Sequence, residues 1–145
     1  MVEVGLKMIK SFSEAISISS FIDRFEYLKI GGTIGKETFG SNRYLNQLLY
    51  NSSKWKELRR EIIIRDMGND LSFPDREING RIIVHHINPI TIDDIYNNRY
   101  CVFDPNNLIC CSMLTHEAIH YGDVNLINGK ELIERLPNDM IPWRV

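Results

Sequence analysis

The chain has no C-x-x-C pair. Its cysteines, Cys101, Cys110 and Cys111, are odd in number, and two of them are adjacent. That pattern argues against a disulfide framework and against a cysteine zinc knuckle, and leaves reduced, partly buried thiols. No apolar run approaches the roughly 18 residues of a membrane span, and the opening MVEVGLKMIK has no stretch of signal-peptide length. A cytoplasmic location is therefore expected. The Gly-rich stretch GGTIGKETFGSN (31–42) has neither G-x-G-x-x-G nor G-K-[ST], so it reads as a turn-rich connection and not as a phosphate loop. Excess charge is lacking too: 17 Lys and Arg stand against 19 Asp and Glu, a net −2. That is a mild argument against nucleic acid as a partner.

What is present qualifies the last point. The 145 residues suit one domain, 1–145, and 43% hydrophobic with 25% charged residues is ordinary for a globular protein. The charges are divided unevenly. Residues 24–65 carry nine Lys and Arg against four Glu, and residues 66–145 carry six basic against twelve acidic side chains. A basic half beside an acidic half can present a phosphate-binding face. Lys56, Arg59, Arg60, Arg65 and Arg99 are the candidate phosphate contacts. Any one of them reads equally well as part of a solvated helix face.

Periodicity sets the organisation. Residues 17–30, SISSFIDRFEYLKI, read as a helix capped by Ser19 or Ser20, with Phe21, Phe25 and Leu28 as core. RYLNQLLY (43–50) is a short helix. SKWKELRREIIIRD (53–66) is a stronger one, with Trp55, Leu58 and Ile62 in one stripe. RIIVHH (81–86) and LICCS (108–112) read as strands. Between them, 93–96 is a helical turn and Asp104-Pro105-Asn106-Asn107 a tight turn. MLTHEAIHYG (113–122) is a short helix stopped near Gly122. Asn128-Gly129 marks a turn that suits a hairpin, in the tail 124–145. The expected organisation is an N-terminal helical region (1–66), a core of about 80–123 and that tail.

All four histidines fall between 85 and 120. His116 and His120 are four apart on the expected helix, so they share a face, a common way for a helix to give two imidazoles to one metal. His85 and His86 close a strand, where neighbouring side chains point to opposite faces. His116-Glu117-x-x-His120 also spells H-E-x-x-H, the zinc-peptidase helix. That reading needs a further ligand. No histidine follows His120, and Asp123 stands where the extended motif has Gly; Glu131 or Glu134 would have to serve. It also leaves His85, His86 and Asn107 idle.

The order of VHHINPI (84–90), DPNNLICCS (104–112) and THEAIHYG (115–122) resembles the HNH endonucleases, which share a ββα-metal (His-Me finger) core. The nine residues from Asn107 to His116 match the spacing of that family's N-L…H element. SKWKELRREIIIRD is similar to the W-x-x-L-R-x-x-I-x-x-R-D helix that often precedes such cores. The run from RFEYLKIGG to YNSSKW is similar to small phage-encoded members. The resemblance covers roughly residues 20–125.

The resemblance implies an α+β fold and metal-dependent hydrolysis of DNA phosphodiesters, leaving a 5′-phosphate and a 3′-hydroxyl. It implies His85 and His116 as metal ligands with His120 as an additional one, His86 as general base, and Asn107 as the residue that pins the inter-strand loop and so orients His86. It implies DNA as partner, with a homodimer and phage packaging proteins left open, and no membrane. For a phage-encoded chain the location is the host cytoplasm.

One departure is plain. Where many HNH proteins carry zinc-binding cysteine pairs, this chain has Met67, Asp70, Ser112 and Thr115, so no structural zinc is expected. One divalent cation is expected, and Mg, Mn, Ni and Zn remain open; three imidazoles suit the softer ones. The rival readings are a non-catalytic, metal-stabilised module that binds nucleic acid or protein, and the zinc peptidase.

Overall fold

The computed structural model describes residues 9–30 and 43–127. The connection read at 31–42 and the turn at Asn128-Gly129 lie outside them. The described part is α+β. In chain order it has α1 (Phe12–Ile16), α2 (Phe21–Leu28), α3 (Arg43–Asn51), α4 (Ser53–Asp66), β1 (Ile82–His86), α5 (Ile92–Tyr96), β2 (Leu108–Ser112) and α6 (Met113–Tyr121). The strands form one antiparallel pair, with Val84 opposite Cys110 and His86 opposite Leu108. No described helix is long and apolar enough to cross a membrane.

Local chemistry sets most element ends. Ser20 caps α2 by accepting from the Asp23 N–H, so that helix starts at Phe21 and not at residue 17. The segment ahead of it forms the separate short helix α1, which the sequence reading missed. Ser52 caps α4 and Ser112 caps α6 in the same way. Gly122 ends α6 with a φ of 71°. A Cβ there would also stand 2.9 Å from the Ile30 carbonyl, so both backbone shape and space require glycine.

The sheet lies between two apolar layers, which is why its strands read as apolar runs. Side chains alternate across a strand. Val84, Leu108 and Cys110 pack with Trp55 and Ile62 of α4 and Leu49 of α3. Ile87, Ile109 and Cys111 pack with Ile119 of α6 and Phe25 and Leu28 of α2. His86 falls on the first face and His85 on the second.

A two-stranded sheet has two unpaired edges. Here side chains cap much of both. The Ile87 N–H donates to the Asn107 carbonyl at 2.8 Å. With the observed register, ladder alternation turns the main-chain groups of Ile83 and His85 towards β2 and those of Ile82, Val84 and His86 outward. On β2 the outward groups are those of Leu108, Cys110 and Ser112. Arg65 donates to the Leu108 carbonyl at 2.7 Å. The Asp66 carboxylate accepts from the Cys110 N–H at 2.9 Å, and Asp70 accepts from the Ser112 N–H at 3.1 Å. On β1, Arg59 donates to the Ile82 carbonyl at 2.7 Å. The LRREIIIRD segment thus does in side chains what a third strand would do in backbone.

Candidate metal centre and the cleft beside it

His85, His116 and His120 converge. One ligand nitrogen from each lies within 4.8 Å of the others. The Nε2 atoms of His116 and His120 are 3.1 Å apart. Two nitrogens on one tetrahedral ion, with metal–nitrogen bonds of about 2.0–2.1 Å, stand about 3.3 Å apart. His85 is 2% exposed, and neither of its ring nitrogens has a hydrogen-bond partner among the described residues. A buried imidazole with two idle nitrogens is costly unless something else ligates it. The three rings therefore fit a divalent cation of borderline softness, with coordination positions left over for water or substrate. No carboxylate belongs to the group among the described residues.

Burial keeps these rings neutral, the state that binds metal. It holds His85 well below its ordinary pKa, with His116, His120 and His86 adding to the effect. Burial, then His120, brings His116 down to about 4, and burial lowers His120. His86 is also held down to about 4 by burial, partly offset by its bond to Val102 and by Asp94. The unfolded chain therefore takes up protons that the folded chain refuses once pH drops below about 6.5. Stability from these rings is whole above that pH and is lost as pH falls towards about 4. The thermal midpoint of EDTA-treated protein should be level above about pH 7 and decline steadily below it. A midpoint insensitive to acid would mean that the rings are open to water.

His86 stands on the opposite face of β1. Its Nε2–H donates to the Val102 carbonyl at 2.9 Å, and its ring stacks on Trp55 at 5.3 Å between centroids, 27° between planes. The bond fixes the neutral tautomer and leaves Nδ1 with its lone pair. Asn107 works at one remove. Its Oδ1 accepts from the Asn88 N–H and from Asn88 Nδ2, both at 2.8 Å, and its Nδ2 donates to the Cys101 carbonyl at 3.0 Å. Cys101 precedes Val102, so Asn107 holds the segment whose carbonyl holds His86. Asn88 carries the chain further: its side chain exchanges bonds with the Lys10 backbone at 2.7 and 2.8 Å. The sequence reading missed Asn88, whose signal was an amide two residues past a buried strand. It also took Trp55 for core alone.

A cleft of about 310 Å³ runs along the outward edge of β1 and joins the two histidine positions; His85, His86 and His116 line it with Tyr50, Trp55 and Arg59. Burial raises the Tyr50 hydroxyl to about 12, so it stays protonated. A larger hollow of about 750 Å³ lies beside loop 75–81, and no histidine lines it.

The basic candidates separate. Arg59 lines the cleft. Lys56 and Arg60 are exposed on α4 and do not. Arg65 is spent on the fold, with bonds to Asp66, Pro105 and Leu108 and its guanidinium over the Phe12 ring at 3.4 Å. Arg99 pairs with Asp94 at 3.0 Å and Asp93 at 3.5 Å and does not line the cleft. Asp70, Ser112 and Thr115 are hydrogen-bonded to one another, Thr115 Oγ1 to Asp70 at 2.6 Å. They stitch the segment after α4 to the start of α6. Comparison with protein-family models, with curated proteins and with solved structures gives no match.

Proposed function

We propose that this protein is a metal-dependent endonuclease of the HNH, ββα-metal type that hydrolyses DNA phosphodiester bonds. One observation carries the reading. Consecutive residues of β1 place His85 among three convergent imidazoles on one face and a tautomer-fixed imidazole, His86, on the other. A single open edge of the strand adjoins both.

His85, His116 and His120 would hold the cation. When bound, a divalent cation stabilises charge on the scissile phosphate and its leaving oxygen. His86 takes the proton of the attacking water at Nδ1, while the Val102 carbonyl steadies the ring as it gains charge. Trp55 keeps the ring from turning. Asn107 positions His86 through Cys101 and Val102.

The peptidase reading is weaker on the same geometry. Glu117, its required base, is exposed, and the third imidazole comes from β1 and not from downstream of the helix. The test is supercoiled plasmid with purified protein and Mg, Mn, Ni or Zn added singly, beside an EDTA control. Nicking or linearisation with metal, and none in EDTA, is the expected result. A folded, metal-binding protein that fails to cleave with any of these metals would be a binding module instead. A metal held by the three rings should also raise the thermal midpoint; at 1,000 times Kd the stabilisation is about 4 kcal/mol.

A further inference from the structure

The outward edge of β1 is capped at one place and open beside it. Arg59 covers the Ile82 carbonyl. Next along the edge come the main-chain N–H and carbonyl of Val84, then those of His86. Among the described residues no side chain or loop is hydrogen-bonded to them. Arg59 itself spends one terminal nitrogen on Ile82 and shows no other hydrogen bond among the described residues. Its guanidinium is therefore already oriented, with its remaining N–H groups available in the cleft that Val84, His86 and His116 also line.

We propose that this edge is a phosphate subsite, in which the Arg59 guanidinium and the Val84 main-chain N–H hold the scissile phosphodiester between His86 and the three-histidine cluster. The subsite rests on the nuclease reading and deepens it. The Arg59 end of the edge favours an anion. Ile82 would present a repelling carbonyl, and Arg59 neutralises it. The adjacent N–H is a donor that needs no side-chain ordering, and a sheet edge of this kind suits oxyanions. The planar fork of arginine lets one nitrogen stay anchored while the others reach a non-bridging oxygen. The placement also solves a problem of topology. The base and the metal ligands are on opposite faces of one strand, and the cleft along its edge is lined by both His86 and His116.

The test is binding of a short duplex oligonucleotide to EDTA-treated protein between about 50 and 200 mM salt, with wild type, Arg59→Gln and Arg59→Lys. Arg59→Gln should bind about tenfold more weakly, with the slope of log K against log salt shallower by about 1. Arg59→Lys should restore the slope, because the charge remains, but not the cleavage rate, because the anchored fork does not. The Val84 amide resonance should shift as oligonucleotide is added. If Arg59 only ties α4 to β1, Arg59→Gln lowers the thermal midpoint and leaves the slope unchanged, and that outcome overturns the subsite. So does a Val84 amide that stays put at saturation. Plasmid cleavage by wild type beside either negative result leaves the nuclease standing and removes the subsite alone. Absence of both DNA binding and cleavage removes both.

Discussion

His86→Ala should lower metal-dependent plasmid cleavage by about 10²–10⁴-fold, the range lost with a general base, while metal affinity stays near that of the wild type. His116→Ala should weaken both. The contrast follows from the fold. His86 is one residue from a candidate ligand, yet its ring lies on the other side of β1, stacked on Trp55 and bonded to Val102. Its Nε2 is committed to a carbonyl, so only Nδ1 is available, and the cluster of His85, His116 and His120 does not include it. Isothermal titration with Zn and a plasmid time course on the same preparations separate the two effects. Equal loss of metal in both variants would make His86 a ligand. Normal cleavage by His86→Ala would remove it as base.

The same burial that fixes His86 also makes it a weak base, held down to about 4. A general base works best with a pKa near the working pH. An anionic phosphodiester at the β1 edge would favour the charged imidazole and move it upward. On the proposed reading, the substrate itself would tune the base.

Much of this was legible in the sequence because local rules governed it. The strands, read at 81–86 and 108–112 and found at 82–86 and 108–112, and the helix 53–66 follow from apolar runs bounded by turn residues and from serine caps. The opposite orientation of His85 and His86 needs only the strand period of two. The roles of the polar residues were not legible, because they depend on long-range register. Arg65 was a plausible phosphate contact until its partners across forty residues, Pro105 and Leu108, came into view. Arg59 looked no different from Arg60 in the sequence. Only the outward parity of Ile82 makes one of them an edge cap and leaves the other in solvent. Helix α1 escaped notice because it is five residues long and held by Arg65 stacking on Phe12 and by Ser13 bonding to Asn106, contacts that no local pattern announces.

Asp70→Ala should destabilise the protein by about 3 kcal/mol, a large part of the stability of a small domain. Asp70 is 4% exposed, and its carboxylate accepts from the Ser112 N–H, the Ser112 hydroxyl and the Thr115 hydroxyl. Removing it takes the acceptor from a strand-edge N–H and from a fully buried hydroxyl together. Burial raises the Asp70 pKa, and its bonds to Thr115 and Ser112 oppose the rise. The charge itself is therefore a cost, and Asp70→Asn, which keeps the shape and one acceptor, should lose less than Asp70→Ala. Thr115→Val should cost about 1 kcal/mol, and the double variant should fall short of the sum by about 1 kcal/mol, since the two share a bond. Urea unfolding of the wild type and the four variants measures each quantity. Additive losses would mean that the residues act separately. Strong coupling would identify the cluster as the clasp that holds the segment after α4 against the start of α6, and so the helix that carries His116 and His120 against the strand that carries His85.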